Sequence, residues 1–523
     1  MHFLIKSISL LFLLLAGSNY AEAQNFNGKV VDVDGNSIPY AAVYWDGSQS
    51  GSTANDSGRF EMPFPPDTTL NEYRLNVSFG GLTQYFDFDD LHSFWTFTMN
   101  VRVELEVASV YDVERGAYIS RLLPIKTEIV TRDEMRKAAC CDLAGCFETQ
   151  STVQPQTTNI LTNAKELRIL GLSGVDNQVL IDGMPLIQGL TYTYGISTMP
   201  GSFVENIWVV KGANSVIQGF EGMVGQITVY PREGQTADLF TADLLMNSFN
   251  EKHINAGIAL KDSIWNNYLA FHASLPGGRF DRDQDTFMDL PLLTRYSLYN
   301  KLRFRNEDQI GFSTFIGLRL TDEERIGGQT NFNANLDKGS TDVYGQSVTF
   351  IQPEICSKSG YRFSEYSKLS LYASSVQHNQ ESWFGVLSYK GQQWSAYGNL
   401  QHELFYGKGG ANDLKTGISF RHLEINEQIA FSSDTIPRTF AGNYNKLENI
   451  PGAFMENIWN LKKDTLSLIT GLRADHHNRF GWMFTPRAML RFLPFAKTDI
   501  RLSVGTGWRT VNIFAENINL LTS

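Results

Sequence analysis

After residue 24 the sequence has no stretch of 18 consecutive apolar residues. That excludes a spanning helix, because crossing the hydrocarbon layer takes about 20 of them. A mature chain that enters a membrane must then do so as a closed β-barrel. Positive charge is also short, with 44 Lys and Arg against 55 Asp and Glu, for a net charge of -11. That balance argues against nucleic acid as a partner, since phosphates call for a surplus of basic side chains. Catalytic constellations are missing too. Ser, His and Asp are present, but there is no nucleophile elbow and no zinc-protease helix, so the chain is not expected to be an enzyme. At 523 residues it is too long for one ordinary core, and several folding units are expected.

Residues 1–23 have the layout of an export signal. Lys6 supplies positive charge, Ile8 to Ala16 a short apolar run, and Ala21-Glu22-Ala23 the small residues before a cut ahead of Gln24. Residues 24–102 follow as short strands closed by turn residues. Gly28 to Asp32 precede a turn at Asp34-Gly35, and Pro39 to Val43 precede one at Asp56-Ser57-Gly58. This spacing predicts a small β-sandwich. Gly28, Val30, Asp32, Gly35, Pro39, Ala41, Val43, Gly58, Phe60 and Leu75-Asn76-Val77-Ser78 resemble the carboxypeptidase regulatory-like domain that precedes many Bacteroidetes receptors. The family's usual Gly-Tyr after the last of these strands is Gly80-Gly81 here.

Residues 103–123 read as a linker. Its apolar positions Val103, Leu105, Val107 and Val110 suit an extended segment that could add as a strand to a partner's sheet edge, or serve as a plain connecting strand. Residues 124–232 then show an ordered set of blocks. Pro124 to Thr131 alternates as a strand, and Thr131 can cap a helix whose first turn carries Asp133 and Glu134. Next come a strand through Arg168 to Leu170-Gly171, and a second ending Asp182-Gly183-Met184-Pro185. Asp-Gly is a strong tight-turn signal, and Pro185 stops a central strand. A strand reaching Lys211-Gly212 and a Gly-rich strand from Gly225 to Val229 complete the series. In this order and spacing the blocks resemble the plug of TonB-dependent outer-membrane receptors. One departure is Leu170, where that family commonly has Arg before the Gly. The resemblance implies a TonB box near Val103 to Val110, an energy-transducing TonB complex as partner, and import of a nutrient. No phosphate loop is present, because Gly-Lys-Ser/Thr ahead of a helix is absent.

From 237 to 523 the pattern changes to segments of about ten residues alternating apolar and polar, the signature of outer-membrane strands. Ile310, Phe312, Ile316, Leu318 and Leu320 share one face of a strand, as do Trp394, Ala396, Leu400 and Leu404, and Trp482, Phe484, Ala488, Leu490 and Phe492. Arg319, Asn399, Gln401 and Arg491 would face the lumen, and Trp383, Trp394, Trp459 and Trp482 suit interfacial girdles. The expected fold is mainly β: an N-terminal sandwich, an α+β plug and an antiparallel transmembrane barrel. About thirteen strands fit, against 22 in receptors of this class, so the barrel is expected to be incomplete, with a smaller natural barrel as the alternative.

Candidate chemistry is concentrated in loops near 276–293, 321–342, 425–448 and 476–481, expected outside the cell. Asp281, Asp283, Asp285 and Asp289 are spaced like the opening of a Ca²⁺ loop but lack its sixth-position glycine and twelfth-position Glu, leaving a weak site or a solvated acidic loop. His476 and His477 could ligate a metal or its chelate, although neighbours on a strand point to opposite faces. Cys140, Cys141 and Cys146 cluster at the end of the first plug helix. They form one disulfide with a thiol left over, or hold a soft ion. Cys356 is expected on a periplasmic turn. No cofactor is certain. The expected function is uptake of a metal chelate such as a ferric siderophore. The alternatives are a glycan or peptide handed over by a surface lipoprotein, or adhesion without transport.

Overall fold

The computed structural model describes residues 25–517 except 33–34, 47–50, 65–72, 80–81, 89–93, 100–116, 120–124, 126, 139–140, 434–439, 463–464 and 496–497. The readings for the export signal, Val103 to Val110 and Cys140 lie outside the described residues. The chain forms two compact units, Met1–Val113 and Glu114–Ser523. Among the described residues no helix is long and apolar enough to cross a membrane.

The first unit has strands β1 (Asn25–Asp32), β2 (Ala42–Trp45), β3 (Gly51–Thr53), β4 (Arg59–Pro63), β5 (Tyr73–Phe79), β6 (Leu82–Phe88) and β7 (Trp95–Met99). They form two sheets, ordered β4-β1-β7 and β3-β2-β5-β6. Alternation in β1 turns Phe26, Gly28 and Val30 inward, where Phe26 meets Trp45 at 5.1 Å and Phe97 meets Phe86 at 5.0 Å between ring centroids. Gly28 leaves room for these rings, since a Cβ there would lie 2.6 Å from Phe60. The second strand starts at Ala42, later than its sequence reading from Pro39, because Tyr40 takes φ 63° and breaks the extended run.

The second unit begins with the plug. Its strands are β8 (Ala117–Ile119), β9 (Thr127–Thr131), β10 (Val153–Asn159), β11 (Ala164–Ile169), β12 (Asn177–Ile181), β13 (Val204–Lys211) and β14 (Gly225–Pro231), with helices α1 (Arg132–Lys137) and α2 (Thr191–Thr198). Five strands form a sheet ordered β12-β14-β13-β9-β8, and β10 and β11 form a separate hairpin. Because β8 pairs with β9, the plug's sheet starts inside the segment read as linker. Thr131 caps α1, its hydroxyl accepting from the Glu134 amide at 3.4 Å. Inward residues such as Ile169, Val179, Ile207, Val209 and Ile227 make the plug's core. Two tight turns leave it, Leu170-Gly171 with φ 54° and 76°, and Asp182-Gly183 with φ 50° and 78°. Both have the paired positive φ of a type I′ turn, common for Asp and Gly and uncommon for Leu.

The wall is one antiparallel sheet of thirteen strands in sequence order. They are β15 (Phe240–Met246), β16 (Lys252–Lys261), β17 (Trp265–Leu275), β18 (Leu292–Phe304), β19 (Gly311–Gly328), β20 (Gly345–Ser364), β21 (Ser367–Phe384), β22 (Leu387–Tyr406), β23 (Asn412–Phe431), β24 (Gly442–Lys462), β25 (Leu466–His477), β26 (Gly481–Phe495) and β27 (Thr498–Gly505), followed by α3 (Ile513–Asn517). Among the described residues β15 and β27 are not paired with each other. Side chains alternate as expected: Leu318 is 47% exposed and Arg319 5%, and Asn399 and Gln401 are buried.

Strands β19 to β24 run for 18 to 21 residues. Spanning takes only about 9–11 residues, so they project well beyond the apolar band. Segment 425–448, read as a loop, is therefore largely strand, whereas 321–342 is strand only as far as 328, and the connections are 329–344 and 432–441. Near these connections apolar residues such as Val348, Phe350, Ile425 and Ile429 turn inward while outward positions such as Thr349 and Gln428 are polar, which removes the outward apolar signal. Trp394, read as a girdle residue near a strand end, lies mid-strand beside His422, 4.6 Å away. Cys356, expected on a turn, is buried in the middle of β20.

Candidate functional site: the joint between plug and wall

The wall's inward face carries many charges, and removing a charge from water costs several kcal/mol unless it is paired and hydrogen-bonded. Here many of the partners come from the plug. Lys301 of β18 donates to both oxygens of Asp182 at 2.9 and 3.0 Å, gripping the plug's Asp-Gly turn, and to Glu233 at 2.6 Å. Arg303, two residues on and so on the same face, makes a two-pronged pair with Glu233 at 2.7 and 2.8 Å. Burial alone would push the Glu233 carboxyl up, but Arg303 and Lys301 outweigh it and hold it at about 2, from an ordinary 4.5.

Further round the wall, Arg325 donates to the backbone oxygens of Thr162 and Asn163 at 2.8 and 2.9 Å and pairs with Glu323. Glu456 accepts from the Val216 amide at 2.9 Å, and Arg487 donates to the Ser215 oxygen at 2.8 Å. Arg421 of β23 pairs with plug Glu221 at 2.8 Å and lies 4.4 Å over the Phe220 ring. On its other side Phe220 stacks on Trp508 at 3.9 Å. None of these pairings had a local signal in the sequence. The available sign was charge recurring at inward positions, as in Lys301, Arg303, Arg319 and Arg325.

Beside Arg421 lies a cavity of about 40 Å³ between plug and wall. Asn177, Gln178, Gln188 and Arg421 line it, each more than nine-tenths buried. The carbonyl oxygens of Asn177, Gln178 and Gln188, the Tyr192 hydroxyl and the Arg421 Nε have no hydrogen-bond partner within the protein. Groups of this kind call for a polar occupant, since each costs about 1–3 kcal/mol if left unsatisfied.

The plug motifs lie where these contacts form or support them. Arg168 bonds Glu166 at 2.5 Å, and Lys211 pairs with Glu128 at 3.2 Å at the end of β13. Gly212 turns the chain at φ 77°. A Cβ at Gly225 would lie 2.5 Å from the Val210 oxygen, so glycine permits the close β13–β14 pairing. Pro185 borders the cavity just after the Asp182-Gly183 turn.

Residues 259–519 match the family model described as "TonB dependent receptor-like, beta-barrel", and residues 120–225 match "TonB-dependent Receptor Plug Domain". The chain belongs to the TonB-dependent receptors. A comparison with curated proteins finds no match. Solved structures with a similar fold include the ferric enterobactin receptor PfeA of Pseudomonas aeruginosa in a mutant form (13% identity, TM-score 0.55, covering 74% of this chain and 62% of that one). The siderophore receptor PirA of Acinetobacter baumannii (12%, 0.56, 74% and 62%) and the alcaligin receptor FauA of Bordetella pertussis (14%, 0.57, 73% and 62%) are others. This chain thus spans about 62% of the length of these receptors. A barrel and plug of this family make it an outer-membrane protein.

On this TonB-dependent receptor the other candidate residues behave differently from one another. Asp281, Asp283 and Asp285 each bring an oxygen within 4.8 Å of the others. Asp289 does not join them, and its carboxylate accepts the Arg282 amide at 3.2 Å. Asp281 also accepts from the Asp285 and Thr286 amides, at 3.1 and 3.0 Å, so the loop's own backbone uses these oxygens. His476 and His477 do not converge. His476 packs outward on Trp482 at 5.1 Å, while His477 is buried against Phe480 with Nε2 3.4 Å from Glu448. Cys146 is disulfide-bonded, whereas Cys141 and Cys356 lie outside any disulfide. A three-thiolate metal cluster is thereby excluded.

Proposed function

We propose that this receptor imports a metal chelate, such as a ferric siderophore, across the outer membrane, driven by the TonB complex. What supports the reading is the family's fold, shared with a solved siderophore receptor, together with the polar cavity at the plug–wall joint, whose volume of about 40 Å³ admits one polar group of a ligand and not a whole chelate. A guanidinium with an unused N–H, Arg421, borders the cavity together with Arg509, and the stacked Phe220 and Trp508 rings adjoin Arg421. Cationic and aromatic groups suit the anionic, flat ligand arms of a chelate. The three unpartnered amide carbonyls favour a second reading. They would accept from hydroxyl or amide donors, as a glycan or peptide delivered by a surface lipoprotein would offer. Within the first reading the Asp281 to Asp285 loop has an indirect part, ordering the rim, with Ca²⁺ as its ion.

The test is uptake. The whole open reading frame containing this chain is expressed in a strain without its own iron receptors, and radioiron–siderophore uptake is measured with and without energy poisoning. Energy-dependent uptake supports the proposal, whereas uptake of oligosaccharide and of no metal complex overturns it. Val107→Pro, which removes a backbone donor from the candidate docking segment Val103 to Val110, is expected to abolish uptake. Unchanged uptake moves the docking segment elsewhere.

A further inference from the structure

Two buried imidazoles lie where the loop after α1 meets the start of β16 and the end of β17. His253 is 2% and His272 0% exposed, with ring centroids 5.8 Å apart. Neither nitrogen of His253 has a hydrogen bond of ordinary length. The Glu251 carboxylate lies 3.6 Å from Nε2, and the Cys141 thiol also adjoins the ring. The His272 tautomer is fixed from outside. Asp243 accepts from the Asn255 amide nitrogen at 2.7 Å, which turns the Asn255 oxygen toward His272 Nδ1 at 2.8 Å. Nδ1 is therefore the protonated nitrogen, and the unpartnered Nε2 keeps its lone pair.

We propose that Cys141, His253 and His272, with Glu251, form a binding site for one borderline-soft transition ion of the Zn²⁺ class, joining plug to wall. The donor set is the one such ions prefer, two imidazoles with a thiolate and a carboxylate whose charges balance a dication. Imidazoles held at about 2.0–2.1 Å from one ion place their ring centres roughly 5–6 Å apart, which fits the pair observed. Asn255 supplies the outer hydrogen bond that metal-bound histidines ordinarily have. Among the described residues only Asp281, Asp283 and Asp285 bring three ligand atoms within 4.8 Å of one another. The thiol–imidazole set is thus open, and the ion draws it closed as the thiol gives up its proton to solvent. Cys141 is partly exposed, which provides the way in. The inference is independent of what the receptor imports.

The purified receptor in detergent is titrated with Co²⁺ as a spectroscopic probe, then with Zn²⁺ by calorimetry. One Co²⁺ per chain is expected, with a thiolate-to-cobalt charge-transfer band that Zn²⁺ displaces. Cys141→Ser and His253→Gln each abolish the band, and Asn255→Ala weakens binding about 10–100-fold. Cys356→Ser and Asp283→Asn leave the band unchanged, and heat-modifiable migration on gels reports folding of every variant. No band in the unaltered receptor overturns the proposal, as does a band that survives Cys141→Ser or disappears in Cys356→Ser or Asp283→Asn. If His253→Gln fails to fold, Cys141→Ser decides alone.

Discussion

The N-terminal sandwich and the plug–wall joint are both buried, yet they are built from opposite materials. The sandwich core is Phe26, Trp45, Phe60, Leu75, Val77 and Phe97, and among its described residues only Asn76 and Ser78 are buried polar groups. The joint is held by Lys301, Arg303, Arg325, Arg421 and Arg487 against plug carboxylates and backbone oxygens. Apolar contacts have no replacement in water, so the sandwich can open only at full cost. Ion pairs and hydrogen bonds can be exchanged for water at small net cost, but they fix one docking geometry while they last. A core built to stay closed and a joint able to part thus differ in chemistry more than in burial.

The largest effect is expected where that exchange is blocked. Lys301→Met leaves Asp182 buried without its cation and takes one of two cations from the partly exposed Glu233, a loss of about 3–5 kcal/mol in plug docking. It is measured as faster hydrogen exchange in residues 177–190 with the sandwich unchanged. Adding Asp182→Asn should restore most of the protection, because a neutral side chain there costs less than an unpaired carboxylate while Glu233 keeps its pair with Arg303. No recovery in the double variant would mean that the cluster contributes more than the relief of unpaired charge.

The same cluster sets a pH window. Glu233 is held at about 2 in the folded chain against an ordinary 4.5. A depressed carboxylate contributes stability that is complete above about 4.5, declines as pH falls, and is gone below about 2. Exchange protection of the joint should therefore hold from neutral pH to about 4.5 and weaken below, and Glu233→Gln should flatten this decline. Among its described residues the sandwich core has no buried carboxylate.

In the sandwich the comparison runs the other way. Leu75 is fully buried, and Leu75→Ala is expected to cost about 2–5 kcal/mol through lost burial and the cavity left behind. The cost should be independent of pH from 3 to 7, on the order of the range tested above, and confined to residues 25–99 in hydrogen exchange. A pH-dependent loss there would erase the contrast between the two regions.

How far all this was legible depends on whether the signal was local. Alternation identified the inward Arg319, Asn399 and Gln401, and Asp182-Gly183 announced its turn, because both depend on neighbours in sequence. The turn at Leu170-Gly171 has the same backbone without an Asp to signal it. Lys301 and Asp182 are 119 residues apart, and only the folded register brings them together. The long reach of β19 to β24 was hidden because their outward face turns polar near the connections and there looks like loop. Cys141 drew notice through its sequence neighbours Cys140 and Cys146, but His253, which adjoins Cys141, carried no sign of that contact.

The smallest expected effect tests whether a locally legible feature also acts only locally. Thr131 ends β9 and caps α1, accepting from the Glu134 amide at 3.4 Å, a long bond on a helix of six residues. Such caps contribute about 0.5–2 kcal/mol, and the length of this bond puts Thr131→Ala near the lower end. Hydrogen exchange should quicken for amides at 132–138 and nowhere else, since β9 is held to β13 through Ile129 and Val130 by backbone bonds that the substitution leaves intact. Loss of protection spreading into β13, whose Asn206 faces Thr131, would show that the cap anchors the plug's sheet as well as its helix. The plug would then respond at a distance even to a change outside the buried charges, and the joint's polar contacts would be too narrow an account of how it is held.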